Sequence, residues 1–109
     1  ANENTTEQEA EKEIYVRKEI RELLAEEGFN ETDIATLLDN HEVRTGMSRR
    51  LIQRAHELGS SLKIEKEILL DGAPRDIVSI TDKETGSVVF YKTIGYDFVG
   101  NVSIIEPVQ

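Results

Sequence analysis

The chain has 109 residues, of which 38% are hydrophobic and 32% charged, and its formal net charge at pH 7 is −9. This length predicts one folded domain with a single core, and the composition is that of a globular rather than a disordered protein. The acidic balance disfavours non-specific adhesion to nucleic acid or anionic membrane, and the absence of cysteine excludes disulfides, thiolate metal sites and a cysteine nucleophile.

The first helix is predicted over about residues 7–27. Residues 1–5 have no large apolar side chain, which predicts a frayed end. A capping-box pattern at Thr6 and Glu9 then begins the helix, and apolar residues recur at mostly helical spacing. Gly28 is placed to close it, because glycine readily adopts the left-handed conformation at a helix end.

Two further helices follow. Asn30 is a suitable cap for a short second helix, and Thr45 or Ser48 for a third helix that ends at Gly59. The third helix is predicted to bury Met47, Leu51, Ile52, Ala55 and Leu58. Its opposite face is predicted to carry Arg49, Arg50, Gln53, His56 and Glu57, with Arg54 at the flank.

Past Gly59 the hydrophobic period changes to two, which predicts strands. The predicted elements are a strand over Leu62–Leu70, a turn over Asp71–Pro74, two strands over Ile77–Thr81 and Val88–Lys92 joined by a hairpin with Gly86 at positive φ, a loop over Gly95–Gly100 and a last strand over Val102–Ile105. The expected fold is therefore α+β, with three N-terminal helices packed on a C-terminal antiparallel sheet of three to four strands. We expect a single domain over residues 1–109, with a helical half at 6–59 and a β half at 61–106.

Catalytic and cofactor patterns are weak. The two histidines, His41 and His56, are both predicted to lie on helices, and their spacing is not that of a metal site. No glycine-rich phosphate loop precedes a helix. We therefore expect no enzyme, no metal and no cofactor; the weak alternative is a small enzyme or enzyme component that uses His41 or the pair Tyr96 and Asp97.

The third helix supports a hypothesis of DNA binding. Ile34 and Ala35 near the start of one helix, Gly46 in a turn, and the run from Met47 to Ile52 resemble the second half of helix-turn-helix and winged-helix DNA-binding domains. The resemblance implies that strands 61–81 supply a wing. The DNA-binding residues it implies are Ser48, Arg49, Arg50, Gln53 and Arg54. The alternative is an amphipathic helix whose arginines are solvated or paired with the first helix.

An acidic arm supports the leading hypothesis. Residues 1–42 carry thirteen acidic side chains against four basic ones. We expect a non-catalytic interaction or regulatory module that binds another protein, a class that includes small acidic inhibitors, and we expect a cytoplasmic chain without a membrane-spanning segment. The oligomeric state stays open, a homodimer included. The candidate protein-binding residues are Glu7, Glu9, Glu11 and Glu13.

Overall fold

The computed structural model of the chain describes residues 19–109, in which three helices precede four strands. The helices are α1 (19–26), α2 (Glu31–Leu38) and α3 (Arg49–Glu57), and the strands are β1 (Leu62–Leu70), β2 (Ala73–Thr81), β3 (Val88–Tyr96) and β4 (Val102–Pro107). The strands form one antiparallel sheet in the order β1-β2-β3-β4. The α+β prediction is confirmed, with the helices before the sheet; the predicted frayed end, the Thr6 capping box and the first turns of helix one lie outside the described residues.

The helix caps are local, and those that fall within the described residues form as predicted. The side chain of Asn30 accepts hydrogen bonds from the backbone N–H groups of Thr32 and Asp33, at 2.8 and 3.2 Å, and so caps α2. Ser48 caps α3 by accepting a hydrogen bond from the backbone N–H of Arg50 at 3.2 Å. Gly28 takes a φ of 91°, as a left-handed residue after α1 should.

The cap of α2 gives a first testable prediction. Replacing Asn30 with Ala should lower the free energy of unfolding by about 1 kcal/mol, because the two amides lose their acceptor. Asn30→Asp is the matched control, since its carboxylate keeps the acceptor and should stay close to the parent chain. The measurement is urea denaturation of all three chains; a loss of the same size in the Asp variant would mean that capping is not the cause.

The prediction for His41 is wrong. It lies in the loop after α2 rather than on the helix, with a φ of 55°. The helix closes earlier because the backbone N–H groups of Asp39 and Asn40 both donate to the carbonyl oxygen of Ala35. His41 is therefore not part of the apolar stripe of α2.

Two strand boundaries also differ from the prediction. The first hairpin turns at Asp71 and Gly72, both with positive φ (52° and 79°), so that Ala73 and Pro74 already belong to β2. A two-residue turn with two positive φ angles matches the twist of the flanking strands, which explains its shortness. β3 continues to Tyr96, which lies opposite Val102 in β4, so the last loop begins two residues later than predicted, at Asp97 rather than Gly95.

A bulge in β1 reverses the faces of its second half. Pairing with β2 runs from Ile64 opposite Val78 to Lys66 opposite Ile77, which leaves Glu65 as an extra residue. The apolar residues on the two sides of the bulge therefore point to opposite faces of the sheet. Ile68, predicted to share a row with Ile64, lies on the other face.

The core lies between the helices and one face of the sheet, here called the inner face. One cluster of buried residues joins the two halves of the described chain. From the helices it includes Ile20, Leu24, Ile34, Leu37, Leu51, Ile52 and Ala55, and from the sheet Leu62, Val78, Ile80, Ile94 and Val102. α3 packs directly on the inner face beside β1, and α1 and α2 join the same buried cluster; no helix among residues 19–109 covers the opposite face.

Candidate interaction surfaces

An ion pair lies buried beneath the first turn of α3. Asp76, on the inner face of β2, is 0% exposed. Arg49 donates to both of its carboxylate oxygens, from Nε at 3.2 Å and from Nη2 at 3.1 Å, and the hydroxyl of Tyr96 donates at 2.6 Å. The Arg49 guanidinium carbon also lies 5.0 Å from the centroid of the Tyr96 ring. The buried carboxylate is thus compensated by a cation and a hydroxyl, as a buried charge requires.

The cluster holds its groups in fixed protonation states. Burial raises the pKa of the Tyr96 hydroxyl far above its ordinary value, and the hydrogen bond to Asp76 adds to the effect. The hydrogen bond to Asp76 raises the pKa of the Arg49 guanidinium further. Tyr96 therefore remains a donor and Arg49 a cation, and together they tie the start of α3 to β2 and β3.

The prediction that Arg49 projects away from the core is wrong. Helical periodicity placed it on the outward face of α3, but the first turn lies over the sheet and the side chain reaches Asp76. Its partner comes 27 residues later in the chain, in a strand, and no local pattern signals such a contact. Among the five candidate DNA-binding residues, Arg49 therefore has an intramolecular partner.

Two others of the five are also engaged. Arg54 pairs with Glu27, with Nε 2.8 Å from a carboxylate oxygen, and with Glu57 on its own helix at 3.2 Å. This is the pairing with the first helical segment that the sequence left open as an alternative. The hydroxyl of Ser48 accepts the capping hydrogen bond. The two carboxylates compensate the charge of Arg54. The hydroxyl oxygen of Ser48 is already bound to a backbone N–H of its own helix.

The remaining two face solvent. Arg50 is exposed and makes no ion pair among residues 19–109, and its guanidinium carbon lies 6.0 Å from the ring centroid of Phe29. Gln53 is partly exposed. The outward surface of α3 consequently presents one uncompensated arginine rather than the cluster of three that the sequence predicts.

Residues considered for catalysis serve mainly the backbone around them. The carboxylate of Asp97 accepts hydrogen bonds from the N–H groups of Val99, Gly100 and Asn101, at 2.9 to 3.0 Å, and so shapes the last loop. The Nδ1 atom of His56 accepts the backbone N–H of Ile64 at 3.1 Å. Neither group is arranged to activate a nucleophile.

His41 lines a shallow pocket of about 380 Å³ on the helical side of the protein. Its neighbours include Arg21 and Asp39, which pair with each other, and Lys83. Within residues 19–109, no group of three or more metal-ligating side chains is placed to hold a metal, and no helix is long and apolar enough to cross a membrane. The pocket is therefore lined by charged side chains of both signs.

The side of the sheet that no helix among residues 19–109 covers, here called the outer face, is a feature that the sequence did not predict. By strand register it carries Lys63, Lys66, Ile68 and Leu70 of β1, Arg75, Ile77 and Ser79 of β2, Tyr91, Thr93 and Gly95 of β3, and Ile104 and Glu106 of β4. Large apolar side chains are open to solvent there: Leu70 is 45% exposed, Tyr91 50% and Ile104 36%. These side chains lie on three of the four strands, so the face offers a partner apolar contacts across its width.

A groove of about 330 Å³ crosses the outer face. Apolar side chains of Ile68, Leu70 and Ile77 line it together with Thr93, Arg75, Glu106 and residues 107–109. Gly95 keeps the neighbouring surface low: a Cβ atom there would lie 3.2 Å from Cβ of Ile104 and 3.6 Å from Nε of Arg75. The absent side chain lets Arg75 and Ile104 approach each other across β3.

Some charged side chains of the outer face have a partner within the face, and others do not. Arg75 pairs with Glu106 at 3.0 Å, and Glu65 accepts a hydrogen bond from the hydroxyl of Ser79 at 2.6 Å. Lys63 and Lys66 make no ion pair with any described residue. The hydroxyl of Ser79 is neutral and leaves Glu65 charged, so the three cations of this face, Lys63, Lys66 and Arg75, exceed its two carboxylates, Glu65 and Glu106, by one among the described residues, on a protein whose net charge is −9.

A second apolar surface lies at the loop between β3 and β4. Phe98 is fully exposed and Val99 is 70% exposed. The hydrogen bonds that the Asp97 carboxylate accepts hold the loop in shape. In addition, the backbone N–H of Arg49 donates to the carbonyl oxygen of Gly100 at 2.8 Å. The loop thus presents two apolar side chains beside the start of α3.

The acidic residues proposed as a binding surface, Glu7, Glu9, Glu11 and Glu13, lie outside the described residues. No protein-family model, no curated protein and no solved structure matches the chain. A functional assignment must therefore come from the chemistry of the surfaces described above.

Proposed function

We propose that this protein is a non-catalytic interaction module that binds another protein through the outer face of its sheet. The observation that carries the proposal is the exposure of Leu70, Tyr91 and Ile104 on a face that no described helix covers. Burying such side chains against a partner would stabilise the complex by roughly 25 cal/mol for each Å² of apolar surface removed from water. Aromatic anchors such as Tyr91 are common among the residues that dominate binding energy.

The acidic arm of residues 1–42 fits the same class of function. Its excess of carboxylates would steer a basic partner toward the protein and make association slower at high salt. The arm and the outer face are separate candidate surfaces, one electrostatic and one apolar.

The experiment compares partner capture by matched variants. A chain with Leu70→Thr, Tyr91→Thr and Ile104→Thr removes apolar area from the outer face and keeps residues suited to strands. Partners captured from the native host by the parent chain should bind this variant at least about tenfold more weakly. The matched control is Leu69→Thr, because Leu69 is exposed on the same strand but faces the other way.

The outcome decides on the surface. Equal affinity of the partner for the parent chain and the triple variant would remove the outer face from the proposal. Loss of binding in the Leu69 control alone would place the contact on the opposite side of the hairpin tip. Thermal unfolding of each variant checks that a lost interaction is not a lost fold.

A second candidate, binding of duplex DNA through α3, has one observation in its favour. The β1–β2 hairpin follows α3 directly, in the position where the resemblance to winged-helix domains places a wing. Against it, Arg49 and Arg54 are already paired with carboxylates. A mobility shift of mixed-sequence duplex at low salt that persists in the triple threonine variant would favour this candidate over the outer face.

A further inference from the structure

We infer that the outer face accepts an acidic amphipathic segment of a partner protein, with its apolar side chains in the groove and its carboxylates beside β1. The inference rests on the proposed function and specifies the chemistry of the partner. It depends on three observations: the charge of the face, the shape of the groove and the placement of the lysines along one margin.

The charge of the face selects an anionic partner. The outer face carries three cations, Lys63, Lys66 and Arg75, against two carboxylates, so its balance is one positive charge. Glu106 pairs with Arg75, and Glu65 accepts a hydrogen bond from the neutral hydroxyl of Ser79 and keeps its charge. The two lysines are exposed and unpaired among the residues described. Complementary charge at the rim of an interface raises specificity and the rate of encounter.

The groove and the lysines together define an amphipathic partner. Ile68, Leu70 and Ile77 offer apolar walls, and Thr93 adds a small polar side chain to the lining. Lys63 and Lys66 lie on β1, the edge strand that also carries Ile68 and Leu70, so the positive charge lies at the β1 edge of the face, next to the apolar residues of the groove. A segment with apolar residues on one face and acidic residues on the next satisfies both.

A second copy of this chain fits the face less well. Face-to-face packing would place the lysines of two identical surfaces near each other, and it would bring together two chains that each have a net charge of −9. Nucleic acid would satisfy the lysines but leave the apolar strip uncovered. Charge complementarity and apolar area together therefore favour the acidic amphipathic segment.

The test uses three synthetic peptides of about 18 residues, five helical turns. The first has Leu on one face and Glu on the other, the second has Lys in place of Glu, and the third has Gln in place of Leu. Each is titrated into the ¹⁵N-labelled full chain, and amide shifts report where it binds and how tightly. We expect the acidic peptide to shift outer-face amides and to bind at least about tenfold more tightly than either of the others.

Charge-reversed variants supply the matched control. Lys63→Glu with Lys66→Glu should weaken the acidic peptide by about tenfold or more, since both free cations of the face are lost. Arg50→Glu with Lys83→Glu makes the same change in net charge at exposed positions away from the outer face, neither of them in an ion pair among residues 19–109, and should leave the affinity within about twofold. An equal loss in both double variants would mean that only net charge matters and would overturn the inference.

Other results separate this inference from the proposed function. Equal or tighter outer-face binding by the lysine peptide would refute the acidic partner while leaving protein binding in place. Concentration-dependent dimerisation in sedimentation equilibrium, abolished by the triple threonine variant, would assign the face to a second copy and refute the inference. No outer-face shift with any peptide, together with unchanged partner capture by the triple threonine variant, would refute both.

Discussion

Replacing Arg49 with Ala is expected to lower the free energy of unfolding by about 3 kcal/mol, because it leaves a buried carboxylate without its cation. Asp76 is 0% exposed in the folded protein, and the truncation removes the two hydrogen bonds that Arg49 donates to its carboxylate. Tyr96 would retain its single hydrogen bond to the carboxylate, which is too little to compensate a full charge. Urea denaturation of the parent and variant chains measures the difference.

The adjacent residue provides the control. Arg50 lies on the same helix, is exposed and makes no ion pair in the described structure, so Arg50→Ala should change stability by less than about 0.5 kcal/mol. A chain with Arg49→Met and Asp76→Leu removes both charges and should recover most of the loss. Equal midpoints for the two single alanine variants would show that the buried pair does not stabilise the fold.

This expectation reverses the one that the sequence alone supports. Helical periodicity assigns Arg49 and Arg50 to the same solvated face, which predicts that neither contributes to stability. Periodicity gives the direction of a side chain relative to its own helix, and it carries no information about a strand that crosses beneath the first turn. Asp76 itself falls in a row of inward residues with Val78 and Ile80, where a lone carboxylate signals a buried partner without naming it.

Elements that depend on local chemistry were predictable. The caps at Asn30 and Ser48 and the positive φ at Gly86 follow from interactions between residues a few positions apart. The antiparallel order of the strands follows from short connections between period-two runs. These features could be predicted because they depend on residues close together in the sequence.

The candidate surface depended on a register shift. With strict alternation, Ile68 and Leu70 share a face with Leu62 and would be buried, so the sequence predicts no exposed apolar strip on β1. The bulge at Glu65 turns them to the outer face. The only signal was Lys66, which interrupts the apolar row at the point where the register changes.

The dependence of stability on pH above 10 tests the same cluster, because Tyr96 ionises in that range in the unfolded chain. Burial, and then the hydrogen bond to Asp76, raises the pKa of Tyr96 above the value near 10 of an unfolded tyrosine. Because the folded-state pKa is the higher one, the contribution is fully present below pH 10, and it is lost as the pH rises toward the folded-state pKa. Between these limits the unfolded chain releases a proton that the folded chain retains, which lowers stability by about 1.4 kcal/mol per pH unit.

The measurement compares the parent chain with Tyr96→Phe by urea denaturation from pH 9 to pH 12. The phenylalanine variant keeps the ring beside Arg49 but has no hydroxyl proton to lose. Above pH 10 its free energy of unfolding should therefore fall less steeply than that of the parent chain, by about 1.4 kcal/mol per pH unit. Every other ionisable group is common to both chains, and the difference in slope therefore isolates Tyr96. Parallel curves would mean that Tyr96 ionises as readily in the folded protein as in the unfolded one. Burial and the hydrogen bond to Asp76 would then not hold the proton on its hydroxyl.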